Sequence, residues 1–497
     1  MAAGARRRCA PHRPEGSGRR DPRGAATGER ERPVANNGPF DIVVLGAGSG
    51  GYACALRAAE LGRSVALIER EESLGGTCLN RGCIPTKALL HAAEVADHAR
   101  DAAQFGVKAA FEGIDVAGVN AYKDKVVSTT VKGLTGLIKS RGIEVVHGTG
   151  RLTGPTTVEV TAPGGETTVI EAGHIVLGTG SQPKSLPGLE IDGERVISSD
   201  HALRLEHVPA SVVILGGGVI GVEFASVWRS FGAEVTIVEA LPHLLPLEEE
   251  SSSKRLERAF RKRGIKFELG TRFQSAKTTQ GGISVTLEDG KTIDAELLLV
   301  AVGRGPVSDG IGLAEAGVET ERGFVKVDEY CRTNVPTISA VGDLIPTPQL
   351  AHVGFAEGIL VAERLSGLTP PPIDYDGVPR ITYSDPEVAS VGITSATARE
   401  RGHQIKEFTY DLAANPKSKI LGTQGEVKVI ASVDGPVLGL HMVGARVGEL
   451  IAEGQLIYNW EALPGEVAQL IHPHPTQSEA VGEAHLALAG KPLHVHG

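Results

Sequence analysis

The 497-residue chain is short of the features that mark several protein classes. Five cysteines in so long a chain make no disulfide scaffold, so a reducing compartment, the cytoplasm, is the expectation. No window approaches the roughly 18 uncharged apolar residues of a membrane span, which excludes an integral membrane protein and a membrane partner. Positive charge is also short. Lys and Arg total 50 against 60 Asp and Glu, and the resulting −10 is spread evenly through the body, which argues against a nucleic-acid partner. Aromatic residues make up only 4%. None of this limits stability: the chain is long enough for about three domains, each with its own core. With 41% hydrophobic and 22% charged residues it reads as an ordinary soluble globular protein. Glycine is abundant, 64 residues, which suits a fold with many close backbone approaches.

The first stretch differs from the rest. Met1 to Pro33 carries nine Arg, no Lys and four acids, so its charge is 9 − 4 = +5 and the remainder carries −15. It has no apolar run of the secretory type. Arg-richness hints at a transit peptide, but Pro11, Pro14 and Pro22 spoil an amphipathic helix, and Glu15, Asp21 and Glu29 do not belong in one. Residues 1–38 are expected to be a disordered tail or a mis-called start, with Val34 the candidate native beginning.

The body opens on a buried-strand run, Phe40-Asp41-Ile42-Val43-Val44-Leu45, followed at once by Gly46-Ala47-Gly48-Ser49-Gly50-Gly51 and a helical pattern through Leu61. A second apolar run, Ser64 to Ile68, closes on Glu69. This is the order of a dinucleotide cradle. Gly46 makes the tight turn, Gly48 admits a pyrophosphate to the backbone, and Gly51 lets the helix pack on the strand. The helix N-terminus offers unpaired N–H groups to phosphate, and Glu69, 18 residues after Gly51, can accept from ribose hydroxyls. A glycine loop alone is a weak signal; strand, glycines, helix, strand and acid in that order are a strong one.

The pattern then recurs. Val212 to Leu215 reads as a strand, Gly216-Gly217-Gly218-Val219-Ile220-Gly221 as the turn, and Glu239 again lies 18 residues after the last glycine. Two nucleotides are implied. A carboxylate at Glu239 accepts from a 2′-hydroxyl but repels a 2′-phosphate, and Ala240, Leu241 and Pro242 supply no Arg, so the second site should prefer NAD over NADP.

Between the cradles stands Gly75-Gly76-Thr77-Cys78-Leu79-Asn80-Arg81-Gly82-Cys83-Ile84-Pro85-Thr86-Lys87. Two nearby cysteines are often a buried pair of small hydrophobes. Metal binding needs two more ligands and no partner pair exists, so no metal is expected. A regular helix puts positions five apart about 140° out of line, so a bridge between them requires a distortion, which Gly82 permits. A local bridge under that constraint is of the labile kind, and the helix that follows favours a thiolate.

Together these motifs resemble the flavoprotein disulfide reductases that use pyridine nucleotides, from about residue 39 to the C-terminus. The resemblance is strongest to the branch that oxidises protein-bound dihydrolipoyl groups. It implies an α/β fold of two Rossmann-like dinucleotide-binding domains with an α+β dimerisation domain at the C-terminus. FAD would occupy residues 39–180 and 304–370, NAD residues 181–303, and the dimer contact residues 371–497, after Pro370-Pro371-Pro372. Val378 to Gly392 resembles the start of the interface domain, with Val427 to Val433 one of its strands. Cys78 resembles the thiol that attacks the substrate disulfide and Cys83 the thiol against the flavin. Lys87 resembles the lysine beside the flavin, ion-paired with Glu223, where a positive charge would meet developing negative charge.

The same resemblance extends the nucleotide sites. Gly76, Thr77, Gly150 and the turn Gly178-Thr179-Gly180-Ser181 resemble FAD contacts, with Gly178 standing where alanine is usual. Asp343 in Ala340-Val341-Gly342-Asp343 resembles the acid on the ribityl chain, and Gln349, Leu350, Ala351 and His352 the segment past the flavin. Gly216, Gly218, Val219, Ile220, Gly221, Glu223, Glu239 and Gly303 would face NAD, although Val307 replaces the usual asparagine after Ala301-Val302-Gly303-Arg304. Cys9, Cys54 and Cys331 have no partner pattern and read as inert.

Near the C-terminus lies His472-Pro473-His474-Pro475-Thr476-Gln477-Ser478-Glu479. Alone, two loop histidines between prolines read as structural or metal-binding. Beside a dithiol, an imidazole titrating near neutrality is what thiol–disulfide exchange requires, and Glu479 can orient it. The family resemblance makes His474 the base, reaching the active site of the other subunit, with His472 secondary. The activity implied is oxidation of dihydrolipoyl groups with FAD and NAD, in a homodimer. The partners implied are the lipoyl domains and acyltransferase core of 2-oxoacid dehydrogenase complexes. Rival branches fit less well: glutathione and mycothione reductases show basic residues near Glu239, mercuric reductase has a cysteine pair beyond Cys331, and soluble transhydrogenase lacks the Cys78–Cys83 pair. A role mainly as a docking subunit is the other alternative, and the intact Cys78, Cys83 and His474 argue against it.

Overall fold

Runs of β-branched and aliphatic residues between glycine turns form the central sheet. In the computed structural model, which describes residues 39–495, Glu144–His147, Val65–Glu69, Phe40–Leu45, Thr167–Leu177 and Ile338–Ala340 lie side by side in that order, all parallel. The expected tail, 1–38 with Cys9, falls outside the described residues. All five residues of Val65–Glu69 are buried, as in a strand covered on both faces, and the strand lies one residue later than the apolar run suggests. The first half of Thr167–Leu177 continues antiparallel to Thr157–Thr161, which pairs with Thr149–Gly154.

The chain leaves this sheet and later returns to it. Ile338, Ala340, Leu344 and Val361 bury in the same core as Ile42, Val44, Leu67 and Ile175. The helix Ser49–Glu60 lies along Ala351–Leu365, and the contact is close enough to demand glycine: a Cβ on Gly358 would sit 2.3 Å from the Gly50 carbonyl oxygen. Arg57 closes the same pair of helices onto Glu363 at 2.6 Å.

The second sheet has the order Lys266–Leu269, Glu234–Glu239, Ser211–Leu215, Leu297–Val300, Val196–Ile197, again all parallel. Where the chain crosses between the two sheets, Ser181–Pro183 on the way out and Arg304–Pro306 on the way back pair antiparallel, so both crossings run together.

The third sheet is antiparallel: Arg380–Thr382, Glu387–Gly392, Val437–Gly444, Glu426–Ser432 and Ile405–Asp411. Six of the seven residues of Glu426–Ser432 are buried, so this sheet too is covered on both faces around its middle. Val447–Asn459 and Glu479–Leu488 pack on it through Ile451, Ile457, Val481 and Ala484. Parallel sheets followed by an antiparallel one give the expected α/β fold with an α+β C-terminal part.

Candidate active site

One cavity of about 1420 Å³ runs from the first glycine turn to the second. A single drug-sized ligand needs roughly 300–1,000 Å³, so this space suits more than one nucleotide-sized group. Every residue expected at the first nucleotide lines it except Gly51, and every residue expected at the second except Gly221. Those two face inward: a Cβ on Gly51 would fall 1.9 Å from the Gly46 carbonyl oxygen, and one on Gly221 would fall 2.0 Å from that of Gly216. Gly46 and Gly216 turn the chain at φ +101° and +107°, in the region that favours glycine.

The middle glycines have a different reason to be glycine. A Cβ on Gly218 would meet nothing within 4 Å, and one on Gly48 only the Gly178 carbonyl oxygen at 4.0 Å. Protein packing does not require these positions bare; the space beside them is cavity. The helices Ser49–Glu60 and Val219–Phe231 begin there with no side-chain cap, so their first N–H groups suit a pyrophosphate. Glu69 and Glu239 close the two cradles in the same way. Glu69 accepts from the N–H groups of Ala47 (2.8 Å) and Glu71 (3.0 Å), Glu239 from those of Gly217 (2.6 Å) and Leu241 (2.8 Å). Each oxygen keeps a second lone pair for a ribose hydroxyl. The residues present fit two dinucleotides.

The thiols sit where two helices meet. Gly76–Arg81 ends at Gly82, whose φ −144° and ψ −108° break the helix, and Cys83–Asp101 starts at once. This is the distortion the spacing demands, and it brings the sulfurs together: Cys78 donates to Cys83. That hydrogen bond, aided by the Lys87 ammonium and opposed by burial, pulls the Cys83 thiol down to about 7. The same bond and burial push Cys78 well above the usual thiol range. The pair is therefore split into one thiolate-forming sulfur and one protonated sulfur. Cys54 and Cys331, by contrast, are buried and raised by burial, in keeping with an inert role.

Lys87 Nζ donates to both oxygens of Glu223 at 2.8 Å. Burial opposes its charge, but the Glu223 carboxylate holds it above the usual ammonium range. Glu223 also accepts from the Tyr383 N–H at 2.9 Å, and the Tyr383 ring lies 4.8 Å from Lys87 Nζ. One carboxylate thus joins a helix beside the first sheet, a helix of the second and the start of the third.

The structure also adds residues and contacts that the sequence does not single out. Tyr383 precedes Ser384-Asp385-Pro386-Glu387, which marks only a segment start. Arg304 donates to the hydroxyl and the carbonyl of Ser181, both at 2.7 Å, while Ser181 donates to Asp343. Glu357, fully buried, accepts from the Gly342 N–H, from Thr347 and from Tyr375, fixing the turn that presents Asp343. Arg272 lines the same cavity next to Thr271, whose N–H donates to the Glu239 carbonyl at 3.2 Å, which puts a cation near Glu239 from 33 residues further along the chain.

His474 and Glu479 come together but not with the thiols. His474 Nδ1 is 2.8 Å from Glu479 Oε1, and the imidazole is 68% exposed. Neither residue lines the cavity that holds Cys78 and Cys83. His472 instead binds Glu453 at 2.7 Å, which raises its pKa. Directly before this loop Leu470 is 60% exposed and Ile471 98%, adjacent apolar residues of the kind that meet another chain.

Residues 40–358 match the family described as pyridine nucleotide-disulphide oxidoreductase, and residues 378–485 its dimerisation domain. The chain is 43% identical to a dihydrolipoyl dehydrogenase of Bacillus subtilis over 470 residues, 92% of this chain and 99% of that one. It is 39% identical to a mitochondrial dihydrolipoyl dehydrogenase of Pisum sativum, covering 92% of each. Among solved structures, LpdA of Mycobacterium tuberculosis superimposes with a TM-score of 0.84 at 27% identity, over 90% of this chain and 99% of that one.

Proposed function

Because this chain belongs to the pyridine nucleotide-disulphide oxidoreductases, we propose that it oxidises protein-bound dihydrolipoyl groups to lipoyl groups, with NAD as the final acceptor. The observation that carries this is the Cys78–Cys83 pair, placed in one cavity with two glycine cradles and the Lys87–Glu223 ion pair.

On this reading Cys78 and Cys83 begin as a disulfide. His474 takes a proton from one substrate thiol, and the thiolate attacks the Cys78 sulfur, releasing Cys83 as a thiolate. The Lys87 ammonium, which favours the Cys83 thiolate, suits it to leave, since the more acidic thiol is the better leaving group. The second substrate thiol then attacks the substrate sulfur of the mixed disulfide, closing the lipoyl ring and freeing Cys78, which takes up a proton. The chain then holds the hydrogen-bonded dithiol, with its proton on Cys78. A bound FAD would supply the two-electron relay between this dithiol and NAD. Gly46, Gly48, Glu69, Ser181 and Asp343 would hold FAD, and Gly216, Gly218, Glu239 and Gly303 would hold NAD. Lys87, kept protonated by Glu223, places positive charge where negative charge develops.

Residues 39–180 and 304–370 form the FAD domain on this reading, 181–303 the NAD domain and 371–497 the dimerisation domain. The base is supplied from one subunit to the thiols of the other, which accounts for the distance between His474 and the cavity of its own chain. Lipoyl domains and the acyltransferase core of a 2-oxoacid dehydrogenase complex are the partners, in the cytoplasm.

The test is the initial rate of NADH formation from dihydrolipoamide, run with NAD and NADP in parallel. Turnover with NAD and little with NADP supports both the substrate and the role of Glu239. No dithiol turnover, with NADH still reducing the flavin, moves the substrate to another disulfide. Equal rates with NADP would give Arg272 the larger say at that rim.

A further inference from the structure

Two ties from elsewhere in the chain hold the loop that carries His474: Glu453 on the His472 ring ahead of it, at 2.7 Å, and the buried side chain of Asn415 behind it. Glu479, which holds the His474 ring, is itself held by the Thr476 N–H at 2.8 Å. The carbonyl of the same Thr476 accepts from Asn415 Nδ2 at 3.0 Å, and Asn415 is completely buried. At its other end Asn415 Oδ1 accepts from the Ser418 N–H at 3.0 Å, capping the short helix Pro416–Leu421. The second tie between loop and helix, Gln477 Nε2 to Ser418 Oγ, is long at 3.5 Å.

A short carboxamide can accept at a helix cap and donate to a carbonyl at once. Serine keeps the cap but is too short to reach Thr476. Aspartate keeps the cap but has no donor. The cap alone therefore explains an oxygen at this position; the nitrogen is explained by the loop.

We infer that Asn415 is a positioning residue for the His474–Glu479 pair, an inference that rests on His474 being the acid–base residue of dithiol oxidation. The Asn415–Thr476 bond sets the height of the loop, Thr476 sets Glu479, and Glu479 sets the imidazole. A base displaced by about 1 Å costs on the order of 100-fold in rate. The pathway from NADH to an artificial electron acceptor uses no loop histidine and is indifferent to the tie.

The experiment compares Asn415→Ser and Asn415→Asp with the unaltered holoenzyme. Dihydrolipoamide oxidation, NADH-driven ferricyanide reduction and dimer mass are measured on each. Aspartate puts a charge in a buried place, so the serine variant keeps the test open if the aspartate variant does not fold. The expected result is a loss of about 10- to 100-fold in kcat for the dithiol, with KM and ferricyanide reduction within about twofold and the dimer intact. Dithiol turnover within about twofold of the unaltered enzyme in a folded variant overturns the inference and leaves Asn415 a cap. So does an equal loss of both reactions, which marks a general structural role. A His474→Gln control separates the layers. If it keeps dithiol turnover, or the unaltered enzyme has none, the reading of His474 falls and this inference with it. If it loses turnover while Asn415→Ser does not, only the inference about Asn415 falls.

Discussion

Replacing Cys78 by alanine removes the largest influence that holds Cys83 in its thiolate-forming state. The hydrogen bond from Cys78 favours the Cys83 thiolate more than the Lys87 ammonium does, while burial and Glu223 work the other way. A hydrogen bond to a charged group contributes about 1.5–3 kcal/mol. At about 1.4 kcal/mol per pKa unit that is roughly one to two units. The Cys83 midpoint should therefore rise from about 7 to about 8–9 in Cys78→Ala, because a thiolate that loses its donor is less favoured. Cys78→Ser keeps a hydroxyl donor at the same place, so its midpoint should stay much nearer that of the unaltered protein. The assay is the rate of iodoacetamide alkylation of the Cys83 peptide against pH, after reduction and desalting, read by mass spectrometry. Resolving peptides matters because Cys54, Cys331 and Cys9 are also present. A Cys83 midpoint that stays put or falls in Cys78→Ala would refute the reasoning, as would equal rises in the alanine and serine variants.

Other perturbations follow from the same geometry. His474→Gln should lower dithiol turnover by on the order of 10²–10⁴, the usual contribution of a general base, while the dimer and bound flavin survive; near-normal rates in a steady-state assay would sink the assignment. Gly51→Ala should destabilise the fold by about 1–3 kcal/mol or prevent folding, since its Cβ has no room beside the Gly46 carbonyl. Gly48→Ala should leave thermal stability of the flavin-free protein nearly unchanged yet weaken FAD retention, which gel filtration with absorbance detection reads; the reverse ranking of the two glycines would contradict the cradle. Glu223→Gln should cost about 1–3 kcal/mol, because Lys87 is only partly buried and glutamine can still accept from Lys87 and the Tyr383 N–H, and chemical denaturation would show it.

Some of this molecule is readable before any folding is considered. The two glycine turns with their strands, helices and closing acids are local objects. Gly46 and Gly216 need left-handed backbone, Gly51 and Gly221 need a bare Cα against a carbonyl five residues back, and Glu69 and Glu239 return to backbone N–H groups in their own cradle. Such constraints act over a few tens of residues, so they leave a spacing in the chain. The break at Gly82 is also local, and the need for it follows from five-residue spacing on a helix.

Contacts between distant parts had to wait for the folded chain. Lys87 and Glu223 stand 136 residues apart, and Tyr383 lies 160 beyond Glu223; family resemblance suggested the first pair, but no spacing did, and nothing pointed to Tyr383. Glu357 has no motif around it, and the motif that ends on Arg304 does not name its partner, because the partners of both are turns and strands assembled only when the chain returns to its first sheet. Asn415 makes a local bond, the cap to Ser418 three residues on, yet its second bond, to Thr476, is 61 residues away. Most telling is the proposed base. The His474–Glu479 pair is legible from five-residue spacing, but its separation from Cys78 and Cys83 is a property of the folded chain, and on the proposed reading a second copy brings them together. Local residue order set the chemistry on offer: two nucleotide cradles, a thiol pair and an imidazole. Which charges meet was left to the fold, because burial and distance, which set thiol and ammonium pKa values, do not exist until the sheets have packed.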